Sequence, residues 1–241
     1  MKIERNKGKR LNQYVPDYTV FDLETTGISC YSDSIIEISG IKVRNHQVTT
    51  EFSTLVNPER PIPAGATRVN GITNQMVGAA PRLPEALAEF LAFIGDDILV
   101  GHNIHAFDLN FIFDDALRLF NREVNNAYVD TLYLSRQCLP QLKHHKLADV
   151  SRHFNIDTTG AHRALADCLM NQKCYEELGK LLIGNHTESC PRCGGQLMKR
   201  KGKFGEFYGC GNYPQCRFTR NLADGASLCQ DNSGFLPKLN A

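Results

Sequence analysis

Two carboxylates two residues apart, Asp22 and Glu24, lie in the stretch Val20-Phe21-Asp22-Leu23-Glu24-Thr25-Thr26-Gly27. The stretch reads as a short β-strand running into a glycine turn. Side chains alternate along a strand, so Phe21 and Leu23 fall on one face and Val20, Asp22 and Glu24 on the other. Two anions that close repel each other, and a cation between them relieves the repulsion. The pair is therefore either part of a metal site or the wet face of an ordinary strand, and the pair alone leaves both open.

Two later acids are of the same kind. Asp108 closes the run His102-Asn103-Ile104-His105-Ala106-Phe107-Asp108, which follows a buried strand and opens a helix. Asp167 closes His162-Arg163-Ala164-Leu165-Ala166-Asp167, which opens the long helix running to about residue 182. Taken singly, Asp108 is better explained as a helix N-cap and Asp167 as a surface acid. Taken in order and with their spacing, the three stretches resemble the motifs of the DEDD exonucleases, in the histidine branch that includes polymerase proofreading subunits. The resemblance covers roughly Thr19 to Leu182.

The resemblance implies a ribonuclease H-like α/β fold, a mixed central sheet flanked by helices. It makes Asp22, Glu24, Asp108 and Asp167 the ligands of two Mg²⁺ (or Mn²⁺) ions and His162 the general base. Thr25, Thr26 and Gly27 would hold the terminal nucleotide, with His102, Asn103 and Phe107 as pocket residues and 3′→5′ polarity. The sister branch carries a tyrosine four residues before the last acid, where this chain has Arg163. His162 and Asp167 are five residues apart, about 500° of helix, so they do not share a helical face. His162 is expected in the loop ahead of the helix. In one respect the chain departs from the pattern: three residues, Ile104, His105 and Ala106, stand where the family most often has two. The extra residue shifts His102 relative to Asp108.

The residue types suit the implied chemistry. The anionic oxygens of a phosphodiester repel nucleophiles, and two metals about 4 Å apart can neutralise them while stabilising the leaving 3′ oxygen. Hard cations such as Mg²⁺ prefer carboxylate oxygens. Histidine, with an ordinary pKa of about 6.5, can take a proton from water near neutral pH.

The elements that must position these groups are legible as well. Ser34–Val43 and Thr50–Val56 read as strands completing a three-strand meander, after which Asn57-Pro58 and Pro61-Ile62-Pro63 break the pattern. Leu83, Leu87, Phe90, Leu91 and Ile94 recur at helical spacing. Ile98-Leu99-Val100 and Ala127-Tyr128-Val129 are short strand runs, each leading into a helix, the second opened by Asp130 as its cap. Lys146–Phe154 and Ala164–Leu182 are two further helical segments. Strands first, then strands alternating with helices, make a mixed sheet covered by helices. The expected organisation is a basic arm (1–14), an exonuclease domain (15–183), a linker (184–189), a four-cysteine finger (190–221) and a flexible tail (222–241).

Cys190-Pro191-Arg192-Cys193 and Cys210 with Cys216 have the spacing of a closed four-thiolate Zn²⁺ site. A segment this short has little core, so the metal would supply most of its folding free energy. The run resembles the C-terminal zinc finger of bacterial type I topoisomerases, which implies one structural Zn²⁺ and binding of single-stranded DNA. Phe204 and Tyr208 offer π-faces, and Arg200, Lys201, Lys203 and Arg217 can reach phosphates. At least two of the finger's aromatics are expected in its own small core.

The net charge of +1 hides an asymmetry, because residues 184–241 hold eight Lys/Arg against four Asp/Glu. An acidic body joined to a basic piece points to a polyanionic partner, DNA rather than RNA by the resemblance. No apolar run approaches the roughly 18 residues of a membrane span. Scattered cysteines beside one metal-spaced cluster indicate a reducing compartment, the cytoplasm. A non-catalytic adaptor would be expected had one acid been missing, but all four and the histidine are present. Within the enzymes, a free-standing nuclease is favoured over a DNA polymerase's proofreading subunit, because the C-terminal piece is itself a nucleic-acid module.

Overall fold

The computed structural model describes residues 5–159, 162–184, 189–203 and 205–221. The chain divides into two compact units, Met1–Gly184 and Asn185–Ala241. Linker residues 185–188, Phe204 and the tail 222–241 lie outside the described residues.

Unit one is built on a five-stranded sheet of order β3-β2-β1-β4-β5. β1 (Tyr18–Thr25), β2 (Ile35–Arg44) and β3 (Gln47–Leu55) form the antiparallel meander. β4 (Leu99–Gly101) and β5 (Tyr128–Asp130) add in parallel beside β1. Parallel neighbours need crossovers, and here these are α3 (Leu83–Ile94) and α4 (Asp108–Phe120). The alternation of β1 sorts its two faces. Phe21 and Leu23 enter the core made with α3 and α4, where the Phe21 and Phe90 rings stand 5.2 Å apart. Tyr18 faces α7 (Ala164–Gly184), edge-on to Tyr175 at 4.7 Å. Asp22 and Glu24 share that second face.

The segment after β3 folds where only a break was expected. α1 (Ala64–Asn70) and α2 (Asn74–Val77) are too short for a helical period to register, and Pro58, Pro61 and Pro63 mask their starts. They close over Ile36 through Ile62, Ile72 and Val77. The third strand also starts three residues before its expected Thr50, because Asn45 and His46 adopt positive φ and make a tight hairpin. α5 (Thr131–Cys138) and α6 (Leu147–His153) pack beside α7.

The basic arm is not loose. Lys9 and Leu11 exchange backbone hydrogen bonds with Tyr128, and Arg5 grips Asp114 through Nε at 2.7 Å. Lys7 Nζ donates to the His105 carbonyl at 2.7 Å. The arm thus supports the extended loop ahead of Asp108.

Unit two is a three-stranded antiparallel sheet of β6 (Leu197–Gly202), β7 (Gly205–Cys210) and β8 (Thr219–Asn221). Its core is Cys190, Leu197, Cys210 and Cys216, with Tyr208 and Phe218 packed against it.

Candidate active site

Asp22 and Glu24 sit in the C-terminal half of β1, beyond its pairing with β4 but still paired with Ser39 and Glu37 of β2, and Asp167 comes from the first turn of α7. One oxygen from each can be chosen so that all three lie within 4.8 Å of one another. Asp108 begins α4, is 3% exposed, and its Oδ1 has no hydrogen-bond partner among the described residues. An unpartnered buried carboxylate oxygen is costly, and a bound cation is one way to satisfy it. The donor set, all hard oxygens, fits Mg²⁺ or Mn²⁺.

The acids raise one another's pKa values. Burial pushes Asp22 well above the carboxylate range, with Asp108, Asp167 and Glu24 adding repulsion. Burial lifts Glu24 to about 7, helped by Asp167 and opposed by a hydrogen bond from Asn70. Burial lifts Asp108 to about 8 against the pull of its own and the Leu23 backbone N–H groups. Asp167 is raised by burial and held back by the backbone N–H of His162. Without a cation this cluster favours protons.

His162 lies in the loop before α7 at φ +71°, with its side chain exposed. Its N–H donates to Asp167 Oδ2 at 3.0 Å, so the loop is tied to the acid while the ring is not.

A cleft of about 340 Å³ adjoins Glu24, walled by Thr25, Thr26, Gly27, Ile28, Val69, Asn70 and Phe107. Ile28 and Val69 are apolar yet 89% and 60% exposed. Gly27 is required here, because a Cβ would fall 2.5 Å from the Asp33 carboxylate. That carboxylate organises the turn, accepting from Ser29 N–H at 3.0 Å and Thr26 Oγ1 at 3.2 Å.

His102 differs from its expected role. Its Nε2 lies 2.8 Å from the His145 carbonyl and its Nδ1 3.0 Å from Thr131 Oγ1, so both ring nitrogens are spent inside the fold. Burial lowers its pKa and keeps it neutral. Asp130 caps α5 by accepting from Leu132 N–H and also holds the Asn103 and His105 N–H groups. It fixes the loop that leads to Asp108. Sequence reasoning missed Glu37, the cross-strand partner of Glu24, which is buried and held by Arg163. The available signal was a lone acid in the apolar run of β2. Asn70 was also missed, for want of α1.

In unit two the four cysteine sulfurs gather within 4.8 Å. Thiolates at about 2.3 Å from a tetrahedral Zn²⁺ stand about 3.8 Å apart. Cys190 and Cys216 sulfurs are 3.8 Å apart, and those of Cys193 and Cys210 3.4 Å. The Gly195 backbone N–H draws the Cys193 thiol down, favouring the thiolate a metal needs. Tyr208, expected to face nucleic acid, is half-buried on the core with Arg220 5.3 Å over its ring. Arg200, Phe207, Tyr213, Arg217 and Phe218 instead border a cavity of about 240 Å³.

Residues 19–175 match the family model described as exonuclease. The chain belongs to that exonuclease family. Residues 187–225 match the model described as topoisomerase DNA binding C4 zinc finger. The exonuclease region is similar to the PolC-type DNA polymerase III of Latilactobacillus sakei subsp. sakei (strain 23K), 38% identical over 196 residues, which are 80% of this chain and 13% of that protein. The corresponding protein of Bacillus subtilis (strain 168) is 39% identical over 151 residues, 62% of this chain and 10% of the relative. The chain therefore spans only about an eighth of these curated relatives. Among solved structures, E. coli exonuclease I with a dT13 oligonucleotide superposes at TM-score 0.60 and 18% identity, covering 69% of this chain and 41% of that one. Exonuclease X with 5′-overhanging duplex DNA does so at 0.53 and 24%, covering 66% and 89%. These likenesses establish the exonuclease fold. Among the described residues no helix is long and apolar enough to cross a membrane.

Proposed function

We propose that this protein is a metal-dependent 3′→5′ exonuclease that cuts single-stranded DNA ends to nucleoside 5′-monophosphates, with a zinc finger helping to hold the strand. The observation that carries the reading is the convergence of Asp22, Glu24 and Asp167 beside the unpartnered Oδ1 of Asp108. Two Mg²⁺ or Mn²⁺ ions held by these four acids would neutralise the phosphate charge and polarise the attacking water. His162 takes that water's proton, its loop anchored to Asp167 and its side chain exposed. The water oxygen bonds to phosphorus, the bond to the upstream 3′ oxygen breaks, and that oxygen leaves with a proton. Thr25, Thr26, Gly27 and Phe107 hold the terminal nucleotide, with its base between the exposed Ile28 and Val69. Asn103 lies further along the strand, and His102 supports the loop from behind.

Residues 15–183 carry the chemistry and 190–221 the finger. Arg200, Lys201, Lys203 and Arg217 reach phosphates, and the cavity beside Phe207, Tyr213 and Phe218 is the better place for a base than Tyr208. Preference for DNA over RNA is supported by the DNA ligands of the solved neighbours and the DNA polymerase relatives. The free thiols of Cys30, Cys138, Cys168 and Cys174 support the cytoplasm as its compartment.

The test is digestion of a 5′-labelled oligonucleotide by Asp22→Ala and His162→Ala proteins. Both should lose activity, and undiminished cutting by either overturns its assignment. The PolC-type relatives favour one second reading, proofreading in association with a DNA polymerase. Stable co-purification with a polymerase would establish it.

A further inference from the structure

A second hollow lies across the loop from the acid cleft. It has a volume of about 480 Å³, and its polar lining includes Asn103, Arg136, Lys143, His144, His145 and Lys146. Among the described residues, no carboxylate borders it. Among the described residues, none of Arg136, Lys143 and Lys146 is ion-paired. By contrast, Arg44, Arg60, Arg118, Arg152 and Lys180 each pair with an acid. Three uncompensated cations around one concavity attract an anion and repel each other without one.

The hollow is coupled to the acid cleft by the chain itself. Asn103 borders the hollow and Phe107 borders the cleft. The N–H groups of Ala106 and Phe107 both donate to the Asn103 carbonyl at 3.1 Å, so a single turn separates the two. The hollow's far wall is fixed to the same loop, because the His145 carbonyl accepts from His102.

We propose that the hollow is a phosphate subsite, occupied by a backbone phosphate of the strand whose 3′ end sits against Asp22 and Glu24. The assignment rests on the exonuclease reading above. It divides the labour: the acid cleft holds the terminal nucleotide, and Arg136, Lys143 and Lys146 hold the strand that follows. A released mononucleotide carries the same phosphate chemistry, so the test separates the two sources.

The test compares wild type with Lys143→Ala/Lys146→Ala and with Lys143→Glu. Lys143 and Lys146 are exposed, so both variants should melt with wild type. Binding of a fluorescein-labelled twelve-nucleotide single strand is read by anisotropy in EDTA, where no hydrolysis occurs, across a salt series. The double variant should bind about tenfold more weakly, with a log Kd against log salt slope reduced by about one to two. In Mg²⁺ its KM for the same strand should rise while kcat and the turnover of a dinucleotide stay unchanged. Unchanged affinity and salt slope would overturn the proposal. So would a loss of inhibition by thymidine 5′-monophosphate with strand affinity intact, which would make the hollow a product site. Weakened strand binding with no hydrolysis by wild type would sink the exonuclease reading and leave the subsite standing.

Discussion

Arg163 reaches from the start of α7 to Glu37 on β2, with Nη2 2.6 Å from Oε1 and Nε 3.2 Å from Oε2. The Ala164 N–H donates to the same carboxylate at 3.1 Å. A buried acid thereby clamps the turn that separates His162 from Asp167. Losing one partner of a buried pair costs about 3–5 kcal/mol, but Arg163 is half-exposed and water can partly replace it. Arg163→Ala should therefore destabilise the protein by about 2 kcal/mol, lowering Tm by about 5 °C, and reduce activity by loosening the His162 loop. Thermal melts and oligonucleotide digestion check both.

The crowded acids make stability depend on pH and metal in a definite direction. Glu24 and Asp108 titrate near 7 and 8 in the fold, against about 4 in an unfolded chain. Raised carboxylates stabilise the fold fully below the unfolded value, and that contribution is lost as pH climbs through the folded one. In EDTA, Tm should fall between pH 5 and 8. Mg²⁺ should reverse the fall, with a larger shift at pH 8 than at pH 5, because it binds the deprotonated acids. Asp22→Asn should melt higher than wild type in EDTA at pH 8 and lose most of the Mg²⁺ shift. Scanning fluorimetry across pH reads all three.

Gly27→Ala places a methyl against the Asp33 carboxylate, where only 2.5 Å is available. The turn must move, and with it the wall of the nucleotide cleft. The expected result is a several-fold higher KM with intact metal-induced stabilisation, measured by digestion and by melting in Mg²⁺.

Zinc removal should act on one unit alone. Cys193→Ser should abolish stoichiometric zinc, measured by metal analysis, and lose the amide protection of the 197–221 sheet. Hydrogen exchange of the 18–175 region should be unchanged. Strand affinity should weaken and its salt dependence flatten.

Much of this was legible from residue patterns. The two-residue period of β1 correctly divided Phe21 and Leu23 from Asp22 and Glu24, and Asp130 was read correctly as a cap. The four cysteines announced their site by spacing. What escaped depends on tertiary packing. α1 and α2 are held by Ile36 rather than by their own propensity, so Asn70 and Val69 had no visible place. Glu37 looked like an interruption of β2 until its register with Glu24 supplied the reason. His102 carried a motif's identity but spends both nitrogens on backbone and hydroxyl partners, something spacing alone does not encode.

The N-terminal arm has one more consequence. By pairing Lys9 and Leu11 with Tyr128, it occupies the outer side of β5, which would otherwise present unpaired amides and carbonyls. The opposite border, β3, is exposed but runs Gln47-Val48-Thr49-Thr50-Glu51, a polar stretch that discourages another strand from adding. Variants shortened through residue 11 should therefore aggregate on standing even where they still melt cooperatively. Solubility over time, rather than activity, is where the arm's absence would be felt first.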